Sequence, residues 1–318
     1  MYIAQAFRYL HDAWRYLIGF VVIFVVWQLG SIPLIAFAMF EIFSDGGDIS
    51  FLEEDPNLIM GVLDSNLTLF LMLLAFAIGL LGIVLWAKWV HKQGFTALTT
   101  ARKKIDWGRF GFGFALIAIT TIVTTFLDYY YNSQDYEWQL QWGPFLILAV
   151  IAIVMIPLQA CFEEYYFRGY MMQGLGVLAK NKWVPLLVTS VIFGSLHFFN
   201  PEVGKLGNII MVYYIGTGLM LGVMTLMDDG MELAMGFHTG NNLVAALLVT
   251  ADWTAFQTNS LLKDISEPSA GIDVLIPVLV IYPIFLGLMA WRYKWTGWNE
   301  KLFGKVSPPP DTNPVNEF

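Results

Sequence analysis

The sequence predicts an all-α, polytopic membrane protein, with about eight transmembrane helices enclosing a polar cavity. Three observations predict it. Of the 318 residues, 57% are hydrophobic and only 13% charged, against about 25% charged in a soluble globular domain. Eight apolar segments stand at spanning length or slightly under it, at approximately 16–40, 67–87, 110–127, 143–167, 183–199, 208–227, 231–250 and 272–291. Basic residues crowd alternate gaps between them.

That alternation orients the chain. Arg8 and Arg15 precede the first segment; Lys88, Lys92, Arg102, Lys103, Lys104 and Arg109 follow the second. Arg168, Lys180 and Lys182 follow the fourth, and Arg292, Lys294, Lys301 and Lys305 follow the eighth. The remaining gaps hold only Lys205 and Lys263, so fifteen of the seventeen basic residues fall on one side. The positive-inside rule assigns that side, with both termini, to the cytoplasm.

In chain order, the first segment is too long for a signal-peptide h-region and has no small-residue cleavage site, so it reads as a span. The loop after it carries Asp45, Asp48, Glu53, Glu54, Asp55 and Asp64, whose spacing fits no calcium loop and reads as a solvated acidic stretch. Asp128, Tyr129, Tyr130, Tyr131, Trp138 and Trp142 read as an interfacial aromatic belt. The fifth and seventh segments are short and interrupted by polar groups. No internal repeat is evident, which argues against a transporter built from inverted halves. Residues 1–300 read as one transmembrane domain and 301–318, with Ser307, Pro308, Pro309, Pro310 and Asp311, as a disordered cytoplasmic tail. The single cysteine, Cys161, excludes an intrachain disulfide framework. No basic cluster outside short loops points to nucleic acid.

The fourth segment holds the chain's most costly residues. Nothing in 143–162 is charged, yet the run ends in Cys161-Phe162-Glu163-Glu164-Tyr165-Tyr166-Phe167-Arg168-Gly169. Insertion scales charge roughly 2.5–3.5 kcal/mol for each such side chain at a span's centre, so they persist there when they pair or do chemistry. Glu164 and Arg168 stand four apart on one helix face, in the favourable order for an ion pair. Glu163 is rotated by about 100° and is free to meet a group from another helix. Of four histidines, His11 and His91 flank spans, whereas His197 and His238 lie within apolar segments. Asn242 follows His238 by four, on the same face. Cys161, two residues from Glu163, faces away from it and reads as a small buried side chain.

These groups suit hydrolysis. A carboxylate and an imidazole from different helices can hold a water and take its proton as it attacks a carbonyl. A second imidazole and an amide can then bind the oxyanion. Helix geometry makes Glu163 the candidate general base and Glu164 the structural acid.

Glu163-Glu164-x-x-x-Arg168, Phe193-x-x-x-His197 and His238-x-x-x-Asn242 together resemble the three motifs of the CPBP family, the CAAX prenyl protease 2 and bacteriocin-processing proteins. The similarity covers about 143–250, and the pattern around Phe167 and Gly169 resembles bacterial members, which implies a bacterial inner (plasma) membrane. The resemblance implies an eight-span intramembrane glutamic endopeptidase. In it Glu163 and His197 activate water, His238 and Asn242 support the oxyanion, and Glu164 and Arg168 form an accessory pair, without metal or cofactor. Its partners would be membrane lipids and a membrane-associated peptide or protein; eukaryotic relatives trim prenylated CAAX proteins. Two alternatives use the same residues. One is a non-catalytic immunity or membrane binding protein on the same scaffold. The other is a metallohydrolase ligated by Glu163, His197 and His238, which the absence of a His-Glu-x-x-His motif and the nearby Arg168 disfavour.

Depth is the difficulty. Entering from the cytoplasm at Trp183, His197 lies roughly 21 Å along its helix, and His238 only about 10 Å along its own. Hydropathy leaves Glu163 near the cytoplasmic end. Straight, upright helices cannot bring these together. Extension of the fourth helix through the apolar run 168–179, with a bend at Pro157, would sink Glu163 to mid-depth. The cavity is expected to open to the cytoplasm.

Overall fold

The computed structural model describes residues 1–269, 271 and 274–309. Each predicted apolar segment falls mainly on helix; 272 and 273 lie outside the described residues. The first is α1 (Ala13–Leu29) and α2 (Ile32–Ser44), which together form one 32-residue apolar stretch. Next come α3 (Ser65–Trp89), α4 (Trp107–Tyr131) and α5 (Trp142–Glu164). A π-helical segment, Tyr165–Met171, joins α5 without a break to α6 (Met172–Ala179). Then follow α7 (Trp183–Ser195), α8 (Ile210–Asp228), α9 (Glu232–Leu248), α10 (Tyr282–Tyr293) and the short α11 (Trp298–Phe303). Among the described residues, five helices are long and apolar enough to cross a membrane: Ala13–Ser44, Ser65–Trp89, Trp107–Tyr131, Trp142–Ala179 and Ile210–Asp228. Trp183–Phe199 and Pro277–Tyr293 are shorter apolar helices. The protein is therefore a mostly helical integral membrane protein, and its outer faces suit lipid: Leu17, Phe40, Ile119, Val150 and Leu279 are all exposed.

The helical prediction needs one correction. Three short strands form a sheet at the end of the molecule where α9 terminates. β1 (Tyr136–Trp138) pairs antiparallel with β3 (Leu262–Asp264), and β3 pairs parallel with β2 (Val249–Thr250). The two connecting loops meet here, and pairing satisfies backbone groups that a buried loop would leave bare. Too few residues contribute for period-two patterning to show in the sequence.

The opposite end gathers the basic residues. Arg102 reaches the Asp228 carboxylate at 2.6 Å and Glu232 at 3.0 Å, and Arg109 donates to Asp228 at 2.8 Å. Lys301 pairs with Asp229, and the Tyr2 amide donates to Asp229 at 3.0 Å. His91 is buried here, its Nδ1 2.7 Å from the Leu10 carbonyl and its Nε2 3.1 Å from the Tyr170 hydroxyl. Arg168, counted with that side in the sequence, lies instead in the π segment and is fully buried.

The tail boundary also moves. Residues 301–306, assigned to a disordered tail, pack on the molecule: the Lys182 amide donates to the Gly304 carbonyl and the Val306 amide to the Lys180 carbonyl. Val306 is buried. Residues 310–318 lie outside the described residues.

Two close helix contacts set the site. A Cβ on Gly236 would strike the Phe110 carbonyl, and one on Gly240 would stand 2.8 Å from the Phe114 carbonyl. The small residues thus let α9 press its backbone against α4 on either side of His238, a close approach typical of membrane helices. On the other flank, a Cβ on Gly218 would lie 2.8 Å from the Ser190 carbonyl, so α8 and α7 are equally close.

Candidate active site

The depth problem is resolved by α5. The apolar stretch that contains it runs without interruption over Trp142–Ala179, 38 residues. Glu163 therefore sits well inside a helix, sixteen residues from Ala179, where hydropathy had put it near an end. The π segment follows directly after Glu164, and such irregular winding is frequent at functional sites.

Glu164 and Arg168 form the pair that their spacing predicts. Both side chains are wholly buried, and Arg168 Nη1 donates to Glu164 Oε1 at 2.9 Å. Arg168 Nη2 donates to the Gly218 carbonyl at 3.0 Å, and its guanidinium lies 4.4 Å from the Phe193 ring centroid. Three helices, α5, α8 and α7, thus hold one cation by an ion pair, a carbonyl and an aromatic face.

His238 lies between the two carboxylates. Its Nδ1 is 2.9 Å from Glu164 Oε1 and its Nε2 3.4 Å from Glu163 Oε2. The contact to an ionised Glu164 requires a proton on Nδ1. Glu163 is buried, and its Oε1 accepts from Gln159 Nε2 at 2.7 Å. Gln159 Oε1 in turn accepts from Asn242 Nδ2 at 3.0 Å. Glu163 Oε2 is buried with no hydrogen-bond partner among the described residues. A buried carboxylate oxygen without a hydrogen bond is costly, and this one has His238 Nε2 beside it at 3.4 Å.

His197 lies just past the end of α7, in a turn of 3-10 helix. Its Nδ1 is 2.9 Å from the Phe193 carbonyl, which fixes the Nδ1–H tautomer and leaves Nε2 with its lone pair. Its ring stacks on Tyr214 at 4.3 Å between centroids, and the Tyr214 hydroxyl donates to Glu202 at 3.0 Å.

These groups share one cavity of about 390 Å³, lined among others by Gln159, Glu163, His197, Tyr214, His238 and Asn242. All four predicted reacting residues therefore border the same space, and Glu164 and Arg168 lie directly behind it. Sequence reasoning missed Gln159, Glu202 and Tyr214. Gln159 had a readable signal: it is the one amide in an otherwise apolar run and stands four residues before Glu163. Tyr214 and Glu202 had none, since only the fold brings them to His197.

The buried Glu163, Phe193 and His238 line the cavity together with Asn200, Glu202, Val249, Thr254 and Phe256.

Among the described residues, no group of three or more His, Cys, Asp or Glu is arranged to hold a metal ion. Cys161 lies beside Met235, Sγ to Sδ 4.0 Å, away from the reacting groups.

Comparison with known proteins agrees with the motifs. Residues 142–244 match the family model described as type II CAAX prenyl endopeptidase Rce1-like. The stretch that resembles the CPBP family thus carries an endopeptidase family signature. The chain is also similar to YyaK of Bacillus subtilis (strain 168), described as an uncharacterized protein, at 24% identity over 282 residues, 88% of this chain and 92% of that one. No solved structure matches the chain significantly.

Proposed function

We propose that the protein is an intramembrane endopeptidase of the CAAX type, which hydrolyses a peptide bond of a membrane-associated protein or peptide with a water activated by Glu163 and His197. The observation that carries this reading is that Glu163 Oε2, without a hydrogen-bond partner among the described residues, and His197, whose Nδ1 is turned to the Phe193 carbonyl, border one cavity. Two acceptors of this kind hold a water by its two hydrogens and take one of them as the oxygen attacks. The proton then passes to the leaving amine, and the new carboxyl carries the water's oxygen.

The setting of His238 supports its role: Nδ1 is held by Glu164, and the ring borders the cavity where a developing oxyanion would form. Asn242, held by Gln159, supplies the second donor. Eight spans, both termini in the cytoplasm and catalysis without a metal belong to this same proposal.

Purified protein in lipid nanodiscs, stripped with a strong chelator and incubated with membrane-associated peptides, is expected to produce new termini detectable by mass spectrometry, and His197→Ala is expected to abolish them. Undiminished peptide binding with no new termini from the wild type would instead favour the immunity or binding reading.

A further inference from the structure

The cavity has a second acidic wall residue, and the mechanism does not use it. Glu202, in the short helix Pro201–Leu206 that follows His197, lines the same space as Glu163. Its Oε1 accepts from the Tyr214 hydroxyl at 3.0 Å. Its Oε2 is buried and has no hydrogen-bond partner among the described residues. Among the described residues no lysine or arginine lines the cavity, and Lys205, three residues along the same short helix, is exposed.

Other inward-facing carboxylates show what this one lacks. Glu164 is paired with Arg168, and Asp228 and Glu232 with Arg102. Glu163 has the His238 imidazole at 3.4 Å. Glu202 has only the Tyr214 phenol. That tyrosine also ties it to the reacting groups, because the Tyr214 ring stacks on His197 at 4.3 Å. One side chain thus spans the gap from the imidazole to the carboxylate. An extended peptide advances about 3.3–3.6 Å per residue, so a peptide bond held at His197 brings its near neighbours within reach of Glu202.

We propose that Glu202 is a specificity residue, which receives a lysine or arginine side chain of the peptide from a position within roughly three residues of the scissile bond. The cationic group donates to Oε2 while Oε1 keeps its bond from Tyr214. A neutral analogue is rejected because it leaves that buried oxygen unpaired. The proposal deepens the endopeptidase reading and rests on it for the word substrate; the preference for a cation rests on the cavity alone.

The test reads binding, so that it does not depend on cleavage. Glu163→Gln protein in phosphatidylcholine nanodiscs is titrated with palmitoylated alanine–leucine peptides carrying a single lysine, moved residue by residue. Each has a norleucine match that keeps the stem and lacks the charge. At the best position the lysine peptide is expected to bind at least about tenfold tighter than its match. Adding Glu202→Gln should abolish the difference, and Glu202→Lys should shift the preference to a glutamate peptide over its glutamine match. The charge exchange decides the matter if Glu202→Gln does not fold. Equal binding of lysine and norleucine at every position overturns the proposal. So does a lysine preference that survives Glu202→Gln, the result expected if Glu202 merely holds Tyr214. Failure of the endopeptidase reading looks different: wild type that binds the lysine peptide selectively but yields no new termini would refute hydrolysis and leave the cation subsite standing.

Discussion

Two buried acidic clusters lie on either side of α9's first turns, and they are built in opposite ways. In the basic-end cluster, Asp228 Oδ2 takes Arg102 and Arg109, Asp228 Oδ1 takes the Trp295 indole, and the Glu232 oxygens take Arg102 and the Asp106 amide. Every carboxylate oxygen has a donor. In the mid-membrane cluster, one oxygen of Glu163 and one of Glu164 have none, and the Arg168 Nε is also bare. The first arrangement closes an end of the bundle. The second accepts the cost of unsatisfied groups, each about 1–3 kcal/mol, beside the cavity.

The contrast predicts different consequences for equivalent mutations. The largest is at Arg168: Arg168→Ala leaves Glu164 buried without its cation and is expected to cost about 3–5 kcal/mol of stability, read as denaturant-induced unfolding in detergent. Activity should fall with it, because His238 loses a fixed carboxylate. Asp228→Ala is expected to cost somewhat less, about 3 kcal/mol, since Arg102 and Arg109 retain side-chain exposure of 24% and 22% and can turn to water. The folded fraction of that variant should turn over normally. Equal loss of specific activity in both would erase the distinction.

Asn242→Ala sharpens the comparison from the other side. Turnover is expected to fall by about 10²–10³, with little change in unfolding, because the partners that lose a bond, Gln159 and the half-buried Asn241, are neutral amides. Gln159→Leu should reduce turnover by about 10² through misplacement of Glu163 and Asn242 together, and combining it with Asn242→Ala should cost less than the two separate losses multiplied.

The smallest effect belongs to His91. Burial holds its imidazole below the ordinary range, opposed in part by its bond to the Leu10 carbonyl. The unfolded chain therefore binds the proton more readily. The stabilisation is complete above about pH 6.5 and is lost as pH falls from there toward the folded-state value. The wild type should lose more thermal stability than His91→Gln between about pH 7.5 and about pH 5.5.

How far the sequence revealed these clusters follows from their geometry. Glu164 with Arg168, and His238 with Asn242, are neighbours at one helical turn, so spacing alone exposed their shared faces. The bridge from Gln159 to both Glu163 and Asn242 joins residues 83 apart, with α4 pressed behind His238 through glycines that carry no chemistry of their own. Asp228 and Glu232 went unnoticed because their partners, Arg102 and Arg109, are more than a hundred residues away, and acidic groups between two segments read as ordinary loop charge. The depth of Glu163 was hard to read for a related reason: hydropathy ranks it by its distance from charge, and the buried Arg168 carries the helix on to Ala179.

The most direct test is a parallel measurement on wild type and Glu163→Gln, in nanodiscs and at matched folded fraction, of single-turnover peptide cleavage in ¹⁸O-water. The wild type should place one solvent oxygen in the new carboxyl group, and Glu163→Gln should lose about 10²–10⁴ in rate while unfolding at a similar denaturant concentration. Cleavage undiminished in Glu163→Gln, or a first-turnover product whose new oxygen comes from the protein, would contradict water activation by this carboxylate.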